Sequence, residues 1–108
     1  MPYVFNYVVF PLNKGEEVAK IWIDSIQDFR SEAKGLAKEV VPNAVKVTMD
    51  GIESIGVNDV KEGKLDEFLT VLGKSMLAYH DIEGFKYRWE VRAKITEALE
   101  LLGMKAPE

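Results

Sequence analysis

The chain contains no cysteine in its 108 residues. That removes disulfides, thiolate nucleophiles and cysteine-ligated zinc together, and it fits a reducing compartment. Histidine occurs once, so a multi-histidine metal centre cannot be assembled and no metal site is expected. No apolar run is long enough to cross a bilayer. Met1-Pro2-Tyr3 passes straight into a strand pattern without a basic and then apolar leader, so a cytoplasmic location is the expectation. Positive charge is also in deficit: 14 Lys and Arg face 18 Asp and Glu, for a net charge of −4. The overall field therefore disfavours a phosphate backbone, leaving room only for a local basic patch. Neither nucleic acid nor membrane is an expected partner. A phosphate-binding glycine loop, a nucleophile elbow and a paired metal motif are all missing, as are repeats, linkers and low-complexity stretches.

What remains is a folded composition, 47% apolar and 30% charged, in a length that suits a single domain over 1–108. Tyr3 to Phe10 is aromatic and β-branched throughout and stops at Pro11, which predicts a strand. Tyr3, Phe5, Tyr7 and Val9 alternate there with Val4, Asn6, Val8 and Phe10, so both faces are largely apolar and the strand is central. Val18, Trp22, Ile26, Phe29, Ala33, Leu36 and Val40 recur at spacings of three and four, which predicts helix up to Val41. Glu16 and Glu17 suit its first turn. A helix of that length is long for a small sheet. A break is expected between Ser31 and Gly35, with Ser31 able to cap a second segment.

Asn43 to Met49 and Ile52 to Val60 read as two strands joined by the hairpin signal Asp50-Gly51. Leu65, Phe68, Leu69, Leu72 and Met76 mark the next helix, ending near Tyr79-His80. Phe85 to Val91 is the clearest strand: Phe85, Tyr87, Trp89 and Val91 alternate with Lys86, Arg88 and Glu90. A last helix carries Ile95, Ala98, Leu99 and Leu102, with Gly103 as its stop. The order predicts an α+β chain, a ferredoxin-like βαββαβ sandwich with a four-stranded antiparallel sheet and an extra C-terminal helix. Phe5, Tyr7, Val45, Val47, Ile55, Val57, Tyr87 and Trp89 can supply the helix-covered face. Val4, Asn6, Val8, Phe10, Thr48, Asn58, Arg88 and Glu90 then fall opposite.

With this order, the chain resembles the dimeric α+β barrel superfamily over about residues 3–102. The local cues are Pro11-Leu12-Asn13-Lys14-Gly15-Glu16-Glu17 after the first strand and Tyr79-His80-Asp81-Ile82-Glu83-Gly84 before the last. These cues are loosely similar to small uncharacterised members. The resemblance implies a homodimer whose open sheet faces meet around a cavity able to hold a small molecule. It also allows a monooxygenase-like or isomerase-like enzyme acting on a small, partly apolar substrate. Haem-degrading members use an Asn on the first strand, a Trp, and a His after the second helix. Asn6 and His80 match two of these positions, but Trp22 and Trp89 lie on other elements, so the resemblance supports haem only in part and no cofactor is expected. A monomeric ferredoxin-like binding module is a further alternative; acidic composition counts against an RNA-binding form of it.

The residues themselves give a short set of candidates. His80 is the one side chain whose ordinary pKa lies near neutrality, and Asp81 is beside it. It reads either as a base or as a helix-end histidine favoured by the dipole. Glu90 is the second catalytic candidate, sharing a strand face with Arg88, which can orient an anionic group. The same two residues read more readily as a structural ion pair at a sheet surface or a dimer interface. Asn6, polar within an apolar strand, needs partners if buried. With Thr48, Asn58 and Arg88 it forms the expected ligand-binding set. Asp24, Asp28 and Glu32 fall at helical spacing and read as a solvated acidic face.

Overall fold

The computed structural model describes residues 1–107. Its elements follow the order strand, helix, strand, strand, helix, strand, helix: β1 (Tyr3–Phe10), α1 (Gly15–Ala33), β2 (Ala37–Thr48), β3 (Gly51–Val60), α2 (Leu65–Met76), β4 (Lys86–Arg92) and α3 (Ile95–Leu101). The strands form one antiparallel sheet in the order β2-β3-β1-β4. The aromatic and β-branched first segment is therefore one of its two central strands. No helix among the described residues is long and apolar enough to cross a membrane.

The break expected near Ser31 to Gly35 is there, but no second helical segment follows it. α1 ends at Ala33, the Lys34 N–H still donates to the Arg30 carbonyl at 3.1 Å, and Gly35 turns the chain at φ +86°. Glycine reaches this left-handed region without the Cβ penalty, which makes it a helix stop. Leu36 and Val40 continued the helical spacing by coincidence. Leu36 lies in the turn just before β2 and Val40 inside the strand, which begins six residues before the expected Asn43. Pro42 falls inside β2, at the second of two shifts of register between Glu39, Val41 and Ala44, where the strand can tolerate a residue with no N–H.

The cross-strand register fixes which side chains share a face. Val4 lies between Asn58 and Val91, Asn6 between Gly56 and Trp89, and Val8 between Ser54 and Tyr87. These rows face α1 and α2. The opposite rows are Asp59–Tyr3–Arg92, Val57–Phe5–Glu90, Ile55–Tyr7–Arg88 and Glu53–Val9–Lys86. This corrects the expected division of the sheet. Val4, Asn6, Val8, Phe10 and Asn58 belong under the helices, whereas Phe5, Tyr7, Ile55 and Val57 belong on the other side. The reason is that β4 pairs directly with β1, so the helix-facing Tyr87 and Trp89 impose their face on Val8 and Asn6.

The two helices cover the sheet unequally. α2 buries Phe68, Leu72 and Met76, and packs closely enough that a Cβ on Gly73 would lie 3.4 Å from the Trp89 ring. Val4, Val60 and Phe68 are the most completely buried large side chains, and Phe29 meets Phe68 edge to face at 6.2 Å. A second cluster gathers Met76, Tyr79 and Ile82 with Phe85 and Tyr87 around it. α1, although longer, fully buries Ala33 alone.

Candidate functional site

α1 is held to the sheet at both ends and stands away from it between them. At its start, a Cβ on Gly15 would lie 3.4 Å from Ile52 Cδ1. At its end, Ala33 enters the core, and Arg30 Nε donates to Glu39 Oε1 of β2 at 3.1 Å. In the intervening space lies a cavity of about 440 Å³, within the range typical of small-molecule sites. Trp22, Ile26 and Phe29 of α1 line one side, and Asn6, Val8 and Asn58 line the sheet side. The apolar stripe that predicts the helix is thus half core and half cavity wall.

The polar groups around this space differ in what they have left to offer. Ser25 Oγ donates to the Ile21 carbonyl at 2.7 Å, and Ser75 Oγ donates to the Leu72 carbonyl at 2.8 Å. Ser54 Oγ donates to Asn43 Oδ1 at 3.1 Å. Tyr79 is 7% exposed, and burial pushes its phenol above the ordinary range, with Ser25 partly opposing. It is therefore a neutral hydroxyl near neutral pH. Asn6 is different. Its Nδ2 donates to Met76 Sδ at 3.6 Å, while its Oδ1 is buried with no partner. A buried amide oxygen left without a donor is costly, and an incoming hydroxyl or N–H would remove that cost. Trp89 Nε1, in the neighbouring register position, is also buried without a partner.

The residues expected to form a site do not converge. Asn6 and Asn58 line the cavity beneath α1. Thr48 closes the β2–β3 turn: its Oγ1 donates to the Gly51 carbonyl at 3.0 Å and accepts from the Asp50 N–H at 3.2 Å. Arg88 and Glu90 lie on the opposite side of the sheet, where Glu90 accepts from Arg88 Nε at 3.2 Å and from Arg92 Nη2 at 2.6 Å. These bonds, Arg92 first and Arg88 second, hold the Glu90 carboxyl below its usual range. His80 is exposed, with Nε2 at 2.9 Å from the Tyr87 hydroxyl and its ring stacked on that of Tyr87. It does not line the cavity that contains Asn6, so the residues present do not fit a haem held between the two. Among the described residues, no group of three or more His, Cys, Asp and Glu side chains could hold a metal ion.

Trp22 and Gly56 also belong to the cavity, although Trp22 reads from the sequence only as one member of the apolar helical stripe. The one available signal was Gly56 itself: a glycine within a strand marks close approach or open space beside the backbone. Against protein families, curated proteins and solved structures alike, the chain found no match.

Proposed function

We propose that the chain is a ferredoxin-like binding domain that takes a small, largely apolar, uncharged molecule in the cavity beneath α1. The fold assignment is supported by the split order of two strand–helix–strand units around the β2–β3 hairpin, with the strand that opens each unit at the centre of the sheet. The observation that carries the function is the unpartnered Asn6 Oδ1 beside an apolar space of about 440 Å³. Such a site selects shape through its walls and orientation through one acceptor. An uncharged ligand is favoured because Glu39, the carboxylate on the rim, is already paired with Arg30.

The test uses N-phenyl-naphthylamine, an apolar fluorophore with one N–H donor. Its emission should brighten and shift to the blue with the unmodified protein. Gly56→Val puts a side chain into the cavity floor, where an added Cβ meets nothing closer than 3.6 Å, and should weaken the response by about tenfold. No brightening, or an unchanged response in Gly56→Val, would overturn the proposal.

A homodimer with open sheet faces paired is the second reading. It is favoured by the band of Tyr3, Phe5, Tyr7, Ile55 and Val57 on the side away from α1 and α2. Multi-angle light scattering tests it directly, and a monomer throughout the measurable concentration range would remove it.

A further inference from the structure

The sheet face away from α1 and α2 has a chemistry that the whole-chain charge conceals. Across its rows, counting Lys94, whose side chain reaches over this face, there are six cations and three carboxylates. That is an excess of three positive charges on a chain whose net charge is −4. The remainder of the molecule therefore carries −7. The cations occupy the margins, Lys38 and Lys46 on β2 and Lys86, Arg88 and Arg92 on β4. The middle of the face is aromatic and aliphatic. Phe5 and Tyr7 lie nearly parallel, 6.1 Å between ring centres and 14° apart. Arg88 sits over the Tyr7 ring at 4.3 Å and Arg92 over the Phe5 ring at 5.0 Å. Beside Tyr7 and Ile55, between Lys46 and Lys86, is a shallow depression of about 650 Å³.

We propose that this face binds single-stranded nucleic acid, with unpaired bases stacking on Tyr7, Phe5 and the guanidinium planes, and phosphates following the basic margins. Two requirements of such a surface are met together. It needs flat groups on which any base can stack; Tyr7 and Phe5 supply rings, and Arg88 and Arg92 supply planar cations. It needs positive charge along the path of the backbone, which β2 and β4 supply on either side. The bases themselves must be free of a duplex, because an open sheet presents rings that a paired helix cannot reach. A second copy of this chain is the competing occupant, but it would set one positive face against another. The like charges at both margins oppose that arrangement. A nucleic acid meets the same charges with the opposite sign.

The experiment is fluorescence anisotropy with a labelled oligouridylate of about twelve nucleotides, at several salt concentrations, beside a duplex RNA of equal length. Light scattering is run on the same samples. The single strand should bind and the duplex should bind at least about tenfold more weakly. Arg88→Gln should lower the slope of log affinity against log salt by about 0.7. Tyr7→Ala should weaken binding about tenfold or more while changing that slope little. Lys20→Gln and Lys74→Gln, on α1 and α2, should change neither. Arg88 is 68% exposed, so Arg88→Gln keeps the test decisive if Tyr7→Ala fails to fold. Absence of binding at low salt, equal affinity for duplex, or indifference to Arg88→Gln would overturn the proposal. So would a stable dimer that Arg88→Gln or Tyr7→Ala separates into monomers, which would assign the face to a second copy.

Discussion

The side-chain amide of Asn6 is half satisfied by Met76: Nδ2 donates to the thioether at 3.6 Å, and Oδ1 on the same group has no donor. A thioether is a weak acceptor, so the core gains little from this residue in return for burying it. Asn6→Leu should therefore raise stability by about 1 kcal/mol or more, because an unsatisfied buried polar atom is removed. The same variant should lose the fluorescence response to N-phenyl-naphthylamine. Thermal unfolding and the titration on one preparation check both halves; reduced stability with binding intact would contradict the role given to Oδ1.

Phe68 is fully buried and Met49 is fully exposed at the hairpin tip. Phe68→Ala should cost about 3–5 kcal/mol, the loss of a core aromatic plus the cavity left behind. Met49→Ser should remain within about 0.5 kcal/mol of the unmodified chain. Urea unfolding with an unchanged m-value for both variants measures the difference.

Gly84 adopts φ +81°, and a Cβ placed there would lie 2.7 Å from Pro11 Cγ. The turn before β4 is thereby held against the end of β1. Gly84→Ala should destabilise by about 1–3 kcal/mol through backbone strain alone, with the Pro11 contact adding to it. Gly35→Ala, with the same sign of φ but no atom within 4 Å of the added Cβ, should cost less. The ordering of the two melting temperatures is the measurement.

Glu90 gives the stability profile an acid limb. Its folded-state pKa is lowered, by Arg92 first and Arg88 second. The carboxylate thus contributes stability above the unfolded value of about 4.3, and that contribution disappears as pH falls through the lower folded value. Replacing both arginines by glutamine should return the Glu90 carboxyl carbon midpoint, followed by NMR, toward its ordinary range. Tyr79 acts at the other end. Its raised phenol contributes stability below the ordinary tyrosine pKa of about 10, lost as pH rises through the higher folded value. Tyr79→Phe should flatten that alkaline limb.

The element order, the hairpin at Asp50-Gly51 and the alternation of β4 were legible because each rests on a local pattern. What could not be read was the facing of β1. With Tyr3, Phe5, Tyr7 and Val9 on one side and Val4, Val8 and Phe10 on the other, its periodicity is the same for either choice. The decision is made by pairing with β4, a contact between residues about eighty apart. The end of α1 was half legible: Gly35 marked the place, but Leu36 and Val40 carried the helical spacing onward into β2. Asn6 stood out as a polar residue in an apolar strand. That it would face a cavity with Asn58, and not Arg88 and Glu90, followed only from the register. The basic aromatic face was hidden for the same reason, since Tyr7 and Arg88 become neighbours only when β1 and β4 pair.

The shifts of register around Pro42 have a consequence for how these molecules behave in a crowd. β2 is an edge strand of twelve residues, and its valines would suit a growing stack of sheets. Proline removes one donor from the strand, and the two shifts interrupt the even spacing that an incoming strand would need to match. The longest edge of the molecule is thus a poor template, and the chain can expose Val45 and Val47 without offering them as the seed of a fibril.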